Sequence, residues 1–376
     1  MQRVRSLDIL RGAIMILMAV DHVRVYSGIP AGGPDPGIFF TRWITHFCAP
    51  GFAFFAGTSI LLYAQKLNDV NKLSPFLVTR GLLLVLLEET FIRFCWCFNL
   101  NYSDFFLAGV IWMLGWCMVL MAVLVRLKPR TTGIIGLVII VAQQAFRYVP
   151  LLLPASMQEA FSKAWNFIYP TNVESSEGIF ILYVIVPWIG VMAAGYGFGL
   201  IFNLNETKRK GICLSLGITS IILFLIIGSI IILMHPSADA PSFMYRLLSQ
   251  QKYPASQLFL LMTLGPLITL IPLVEKAHGW LVNVLTTFGK VPMFYYLLHI
   301  PLIHVSALIV NLTRTGNAHQ EWYTTAPFTS IPEADHWSLA LLYLIFILDV
   351  TILYFICKQY ADYKLKYPEK KWLRYI

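Results

Sequence analysis

Three of the ionisable side chains inside the first hydrophobic segment are spaced to lie on one helical face. Arg11 and His22 are eleven residues apart, which on an α-helix is about 16 Å of rise with a net rotation of about 20°. Asp8 falls on the same face. A charge inside a membrane helix costs about 2.5–3.5 kcal/mol or more, so it normally faces a bundle interior or a wet cavity. These residues therefore predict a functional site on the first helix.

Two histidines are candidates for a general base. His22 lies towards the outer end of the first segment and His46 at the outer start of the second, so the short loop between them can bring both together. Neutral imidazole is the commonest general base near neutral pH. Asp21 is predicted to orient a histidine, or to serve another partner such as Arg42 instead, because adjacent helical residues diverge by about 100°. Arg42 is itself predicted to bind substrate at the outer mouth. A structural role as interfacial histidines is the alternative.

Cationic residues deeper in the chain are candidates for binding an anionic donor. Arg11 could hold a phosphate or carboxylate that enters from the inner side; alternatively it is neutralised by Asp8, three residues away. Arg80, towards the inner end of the third segment, is predicted to contact the same donor. The ninth segment adds Lys290 and the mid-span His299 in a proline-flanked, aromatic setting, where a packing role for the histidine is the alternative.

The composition indicates the elements that must position these residues. Of the 376 residues, 58% are hydrophobic and 12% are charged, whereas soluble domains carry about 25% charged residues. The pattern predicts an all-α, polytopic membrane helix bundle in one integral-membrane domain, 1–376. The ten hydrophobic segments are 7–27, 44–64, 76–97, 105–126, 133–153, 178–202, 211–234, 256–275, 283–310 and 337–357. Gly289 to Pro292 predicts a break within the ninth.

The distribution of the 28 basic residues predicts the orientation. With the N-terminus inside and ten crossings, 17 basic residues fall on the inner side, including the basic tail 358–376, and 5 on the outer side. This asymmetry favours cytoplasmic N- and C-termini, as the positive-inside rule expects. The same asymmetry accounts for the net charge of +9 as that of a positive-inside membrane protein, so the charge does not indicate a nucleic-acid-binding protein. The predicted location is the cell inner membrane, with the lipid bilayer as a partner.

The six cysteines predict buried thiols and no metal site. Cys95 and Cys97 flank one tryptophan, which is not the two-residue spacing of common metal and redox motifs. All six lie in or beside apolar segments, where cysteine behaves as a small hydrophobic residue.

Several short motifs resemble a known family in order and spacing. They are Ser6–Gly12, Asp21-His22, Arg42–Pro50, Phe54–Thr58, Pro187–Gly190 and Gly289–His299. Together they look like bacterial members of the heparan-α-glucosaminide N-acetyltransferase-like family. The spacing of Arg11 and His22 also resembles the wider acyltransferase-3 group. These matches run from the first segment to the ninth.

The resemblance implies a ten- or eleven-helix transmembrane acyltransferase. Such an enzyme takes acetyl from cytoplasmic acetyl-CoA and passes it to a sugar, glycan or glycolipid acceptor on the outer side. Acetyl-CoA is then a co-substrate, and no permanently bound cofactor is expected. A luminal-side histidine is implicated in transfer in the lysosomal relative, and both His22 and His46 suit that position. A homo-oligomer is compatible with this sequence.

The alternative hypothesis is a membrane transporter or exporter of a glycan or lipid-linked substrate. The same intramembrane charges would then line a substrate path. A transporter moves its substrate without covalent change, whereas an acyltransferase requires CoA-dependent transfer. The absence of a visible inverted repeat in the sequence favours the acyltransferase.

Overall fold

A computed structural model describes residues 4–32, 35–102, 106–171, 173–174, 178–236 and 241–374. These residues are mainly helical. The α-helices are α1 (Arg5–Tyr26), α2 (Pro36–Trp43), α3 (Cys48–Leu67), α4 (Val70–Leu87), α5 (Arg93–Cys97), α6 (Val110–Leu124), α7 (Pro129–Ala142), α8 (Ala155–Trp165), α9 (Trp188–Phe198), α10 (Glu206–Met234), α11 (Phe243–Leu248), α12 (Gln257–Val274), α13 (Trp280–Lys290), α14 (Pro292–Thr315) and α15 (Leu339–Lys366).

Shorter elements complete the described part of the chain. The strands are β1 (Phe106–Ala108) and β2 (Ile179–Ile181). The 3₁₀-helices are Ile44–Phe47, Gln143–Leu152, Gly199–Asn203, Gln320–Tyr323, Glu333–Asp335 and Lys371–Arg374. One π-helical turn, Glu88–Ile92, joins α4 to α5.

Each predicted hydrophobic segment contains a helix, with two local differences. The ninth segment is divided at Val291 into α13 and α14, which confirms the predicted break. In the sixth, helix α9 begins only at Trp188, because β2 and a turn occupy the preceding residues.

Among the described residues, seven helical stretches are long and apolar enough to cross a membrane, judged by length and composition. They are Pro36–Leu67, Val70–Cys97, Pro129–Leu152, Glu206–Met234, Gln257–Val274, Pro292–Thr315 and Leu339–Lys366. Two shorter apolar helices are Val110–Leu124 and Trp188–Asn203. Helix α1 has 22 residues but carries ionisable groups along its length. The chain is therefore a multi-pass membrane protein, while ten crossings and the orientation stay predictions.

The chain forms two compact units, which are described separately. One comprises Ala49–Thr90 and Tyr102–Pro272, and the other Gln2–Cys48, Phe91–Asn101 and Leu273–Ile376. The division into two units does not test the prediction of a single integral-membrane domain over 1–376, which stays a prediction.

Glycines bring helices of the first unit into backbone contact. A Cβ at Gly57 would lie 1.8 Å from the carbonyl oxygen of Met192, and one at Gly81 would lie 2.5 Å from that of Gly115. Small residues allow such close approach of membrane helices, where packing rather than water exclusion drives association. Further contacts of this kind join Gly133 to Gly197, Gly136 to Gly190 and Gly217 to Gly265.

A buried carboxylate fixes the start of α6 in the same unit. Glu88 Oε2 accepts hydrogen bonds from the backbone amides of Ile111 (3.0 Å) and Trp112 (3.3 Å). The first amides of a helix have no partner within it, and they favour a negative charge. Strand β1, which immediately precedes α6 in the chain, pairs in parallel with β2, with Phe106 opposite Ile179.

Helix α1 is the central element of the second unit, where it packs against α13, α14 and α15. Its approach to α13 is closest at two glycines. A Cβ at Gly12 would lie 1.8 Å from the carbonyl oxygen of Leu285, and one at Gly289 would lie 1.8 Å from that of Asp8. The two backbones therefore touch, and α1 has a fixed axial position against α13.

The segment between α14 and α15 packs on the end of α1. The amide of Trp337 donates to the carbonyl of Ser27 (3.0 Å), and Thr329 Oγ1 donates to that of Val25 (3.4 Å). Tyr323 Oη also donates to the carbonyl of Tyr26 (3.3 Å). The C-terminal end of α1 is thus held by the segment between α14 and α15. His22 lies on α1 one turn before this end.

Candidate functional site

The second unit brings two histidines from different helices into direct contact. His22 Nδ1 on α1 lies 2.7 Å from His299 Nε2 on α14, and the two rings meet edge to edge at an interplanar angle of 23°, with centroids 4.8 Å apart. His299 is fully buried, whereas His22 is partly exposed. The buried His299 therefore positions His22, whose partly exposed ring is accessible to a substrate.

Hydrogen-bond partners determine where the protons of this pair lie. His299 Nδ1 is 2.6 Å from the carbonyl oxygen of Tyr296, which can only accept, so Nδ1 carries the proton. In a neutral ring, His299 Nε2 is then a lone-pair acceptor. His22 Nδ1 must donate to it, and this leaves the lone pair of His22 on Nε2. The arrangement selects the tautomer of His22 that can take a proton at Nε2.

Aromatic rings enclose both histidines. The Trp96 indole meets His22 edge-on with centroids 4.9 Å apart, and Tyr26 stacks on Trp96 at 5.7 Å. On the other side, Tyr295 stacks on His299 at 5.5 Å. These contacts restrict both imidazoles to one orientation, as a positioned acid–base group requires.

The groups predicted around the outer end of α1 form separate contacts. The carboxylate of Asp21 accepts a hydrogen bond from Arg24 Nε at 2.9 Å, and Arg24 also donates to the carbonyl of Ile29. Arg42, the predicted alternative partner of Asp21, donates to the carbonyl of Ala31. The two arginines thus bind the backbone of the loop that follows α1. A role for Asp21 in orienting a histidine stays a prediction.

His46 occupies a different setting from His22. It lies in the 3₁₀-helix Ile44–Phe47 and is only 6% exposed. The structure places His22 on His299, a partner that the sequence did not single out for this histidine. The predicted role of His46 as a base or as support for His22 stays a prediction.

The predicted donor-binding residues divide between the two units. In the second unit Arg11 Nη1 lies 3.7 Å from Asp8 Oδ1, so the predicted neutralising pair is present, although the Arg11 side chain keeps 20% exposure. Lys290 ends α13 directly after Gly289, whose Cα faces the backbone of Asp8. Arg80 lies half-buried on α4 in the first unit.

Sequence reasoning missed the contribution of Trp96 and the pairing of His22 with His299. In the sequence, Trp96 attracted notice only as the residue between Cys95 and Cys97. The spacing of residues within one hydrophobic segment does not show which residue of another segment they contact, so the contacts of His22 with Trp96 and His299 could not be predicted. All six cysteines are buried, as predicted.

Comparison with known proteins supplies the family. The sequence model described as heparan-alpha-glucosaminide N-acetyltransferase, catalytic, matches residues 3–236, which is more than half of the chain. The matched range contains His22 and His46 and ends before His299. A search of curated proteins gave no match. The chain belongs to the heparan-alpha-glucosaminide N-acetyltransferase catalytic family of membrane acyltransferases.

Proposed function

We propose that this protein transfers an acetyl group from acetyl-CoA to a sugar, glycan or glycolipid acceptor, with His22 as the general base. The observation that carries the proposal is the hydrogen bond from His22 Nδ1 to His299 Nε2 at 2.7 Å. It leaves the Nε2 lone pair of a partly exposed histidine as the proton acceptor. Family membership supplies the class of reaction.

The reaction needs one proton acceptor that later becomes a donor. His22 Nε2 removes a proton from the acceptor hydroxyl or amine as this group attacks the thioester carbonyl. The tetrahedral intermediate collapses, the carbon–sulfur bond breaks, and the proton on His22 passes to the CoA thiolate. The products are the acetylated acceptor and CoA, and His22 returns to its starting tautomer. Such a base contributes about 10²–10⁴-fold to the rate.

Two cationic groups of the second unit support a donor site near the start of α1. The partly exposed Arg11 guanidinium and Lys290 lie at the contact between α1 and α13, where Gly289 touches the backbone of Asp8. CoA carries phosphates, which guanidinium and ammonium groups bind well. The excess of basic residues on the predicted inner side favours entry of acetyl-CoA from the cytoplasm.

The acceptor is proposed to approach from the opposite end of α1. His22 lies there, about 16 Å along the helix from Arg11. The CoA pantetheine arm would span this distance and bring the thioester to His22. We place the protein in the cell inner membrane, with the acceptor on its outer side.

A matched set of variants tests the role of His22. In His22→Asn the amide can still donate to His299, but no lone pair remains at the Nε2 position. His278 is exposed and lies outside the helices, so His278→Asn is the control. In lipid nanodiscs supplied with radiolabelled acetyl-CoA and an envelope glycolipid extract, we expect His22→Asn to lower transfer by about 10²–10⁴-fold. The control variant should keep the wild-type rate.

Three results would contradict this proposal. Wild-type turnover in His22→Asn would remove the base assignment. Substrate movement across a vesicle membrane without acetylation would favour a transporter. Acetylated His22, detected by mass spectrometry after incubation with acetyl-CoA alone, would replace direct transfer with a covalent intermediate.

A further inference from the structure

The C-terminal end of α5 is held by side chains from three other segments of the second unit. Three consecutive carbonyl oxygens there each accept a hydrogen bond. The bonds are His304 Nδ1 to Cys95 (3.1 Å), Tyr26 Oη to Trp96 (2.6 Å) and Gln320 Nε2 to Cys97 (2.8 Å). The last carbonyls of a helix have no amide partner within it, so these side chains satisfy them and fix the position of Trp96.

The amide orientation of Gln320 is set by its second contact. Its Nε2 donates to the carbonyl of Cys97, which can only accept, so its Oε1 points to His304 Nε2 at 3.1 Å. A flipped amide would place two oxygens 2.8 Å apart without a proton between them. His304 therefore faces an oxygen acceptor on each ring nitrogen, the Cys95 carbonyl at Nδ1 and the Gln320 amide at Nε2. Two acceptors require two donors, and imidazole has two only when it is protonated.

Burial disfavours a positive charge on His304, and the groups around the ring offset that cost. Phe98 stacks on its ring with centroids 3.8 Å apart, and Tyr26 and Tyr323 lie at 4.9 and 5.3 Å. The faces of aromatic rings attract cations within about 6 Å, and the C-terminal end of a helix favours a cation over a neutral group. The side chain is fully buried.

The titratable groups around this ring come from three segments. Those that face it or lie on the element it caps are Tyr26, Arg93, Cys95, Cys97 and Tyr323. Burial raises the pKa of the Tyr323 phenol to about 12, so this group stays neutral at working pH.

We propose that His304 is a buried imidazolium that caps α5 and thereby positions Trp96 against His22. His304 is a positioning residue: it touches the carbonyl before Trp96, and the Trp96 indole touches the His22 ring. Its effect on acetyl transfer rests on the proposed function, whereas its charge does not.

Nitrogen-15 NMR of the histidine-labelled protein in lipid nanodiscs tests the charge directly. Among the eight histidines, we expect one at neutral pH with both ring nitrogens protonated, and this signal should disappear in His304→Gln. If that variant does not fold, Gln320→Ala provides the assignment, because loss of the amide acceptor shifts the Nε2 resonance of His304. A neutral tautomer at His304 would overturn the proposal.

A double-mutant cycle tests the coupling through Trp96. We expect His304→Gln to lower kcat by about 10–100-fold, the order of effect that misplacement of a catalytic group produces, with KM for acetyl-CoA unchanged. In a Trp96→Leu background the same change should have little further effect on kcat. Equal losses in both backgrounds would refute positioning through Trp96. A protein that shows the imidazolium but no acetyl transfer would contradict the proposed function and leave the charge of His304 standing.

Discussion

Replacement of His299 by leucine removes the acceptor that selects the tautomer of His22. The lost interaction is one buried hydrogen bond of 2.7 Å between ring nitrogens, and such a bond contributes about 0.5–1.5 kcal/mol net. If this free energy is what holds the His22 proton on Nδ1, its loss lowers kcat by about 2–13-fold. Loss of the base itself, in His22→Asn, costs about 10²–10⁴-fold. The two variants should therefore differ by about 8-fold or more.

The assay is single-turnover acetyl transfer at saturating acetyl-CoA, after circular dichroism has shown that each variant is folded. His299→Gln is the matched control, because its Oε1 can still accept the proton of His22 Nδ1, and we expect it to be faster than His299→Leu. A wild-type rate in His299→Leu would refute the tautomer argument. A loss as large as that of His22→Asn would show that His299 takes part in the chemistry and does more than orient its neighbour.

Three further changes test other parts of the structure. Gly289→Ala places a Cβ 1.8 Å from the carbonyl oxygen of Asp8, so we expect a loss of about 1–3 kcal/mol, read as a lower thermal midpoint; an unchanged midpoint would contradict the close packing of α1 and α13. Arg11→Ala should raise KM for acetyl-CoA and leave KM for the acceptor unchanged, and the opposite pattern would move the donor site elsewhere. Glu88→Leu removes the acceptor of two buried amides at the start of α6, which should cost about 1–3 kcal/mol of stability, whereas equal stability would mean that these amides do not depend on Glu88.

The helical architecture could be predicted because it depends on local composition. Each hydrophobic segment predicted from the sequence contains a helix, and Gly289 and Pro292 correctly indicated the break between α13 and α14. The ends were less accurate: α9 starts ten residues after the start of its predicted segment, because a short strand there pairs with a distant part of the chain. Pairing over such distances leaves little local signal.

The sequence predicted which residues belong to the candidate site better than it predicted which of them contact each other. His22 and His299 were both singled out, each from its own segment, but only the fold brings the two rings into hydrogen-bond contact. Asp21 was expected near a histidine or Arg42, and its partner in the structure is Arg24, three residues along the same helix. Pairs at this spacing are neighbours on any helix, so this contact was available from the sequence.

The π-helical turn Glu88–Ile92 sets the rotational phase of the residues that follow it. A π-turn holds one residue more than an α-helical turn, and within the continuous helix Val70–Cys97 it lies immediately before α5. If these residues adopted regular α-helical winding at unchanged length, every later side chain would turn by about 100°. Trp96 would then point away from His22. Loss of the π-turn without loss of a residue would thus move Trp96 out of the proposed site, whereas deletion of one residue together with the π-turn would leave the later side chains near their present orientation.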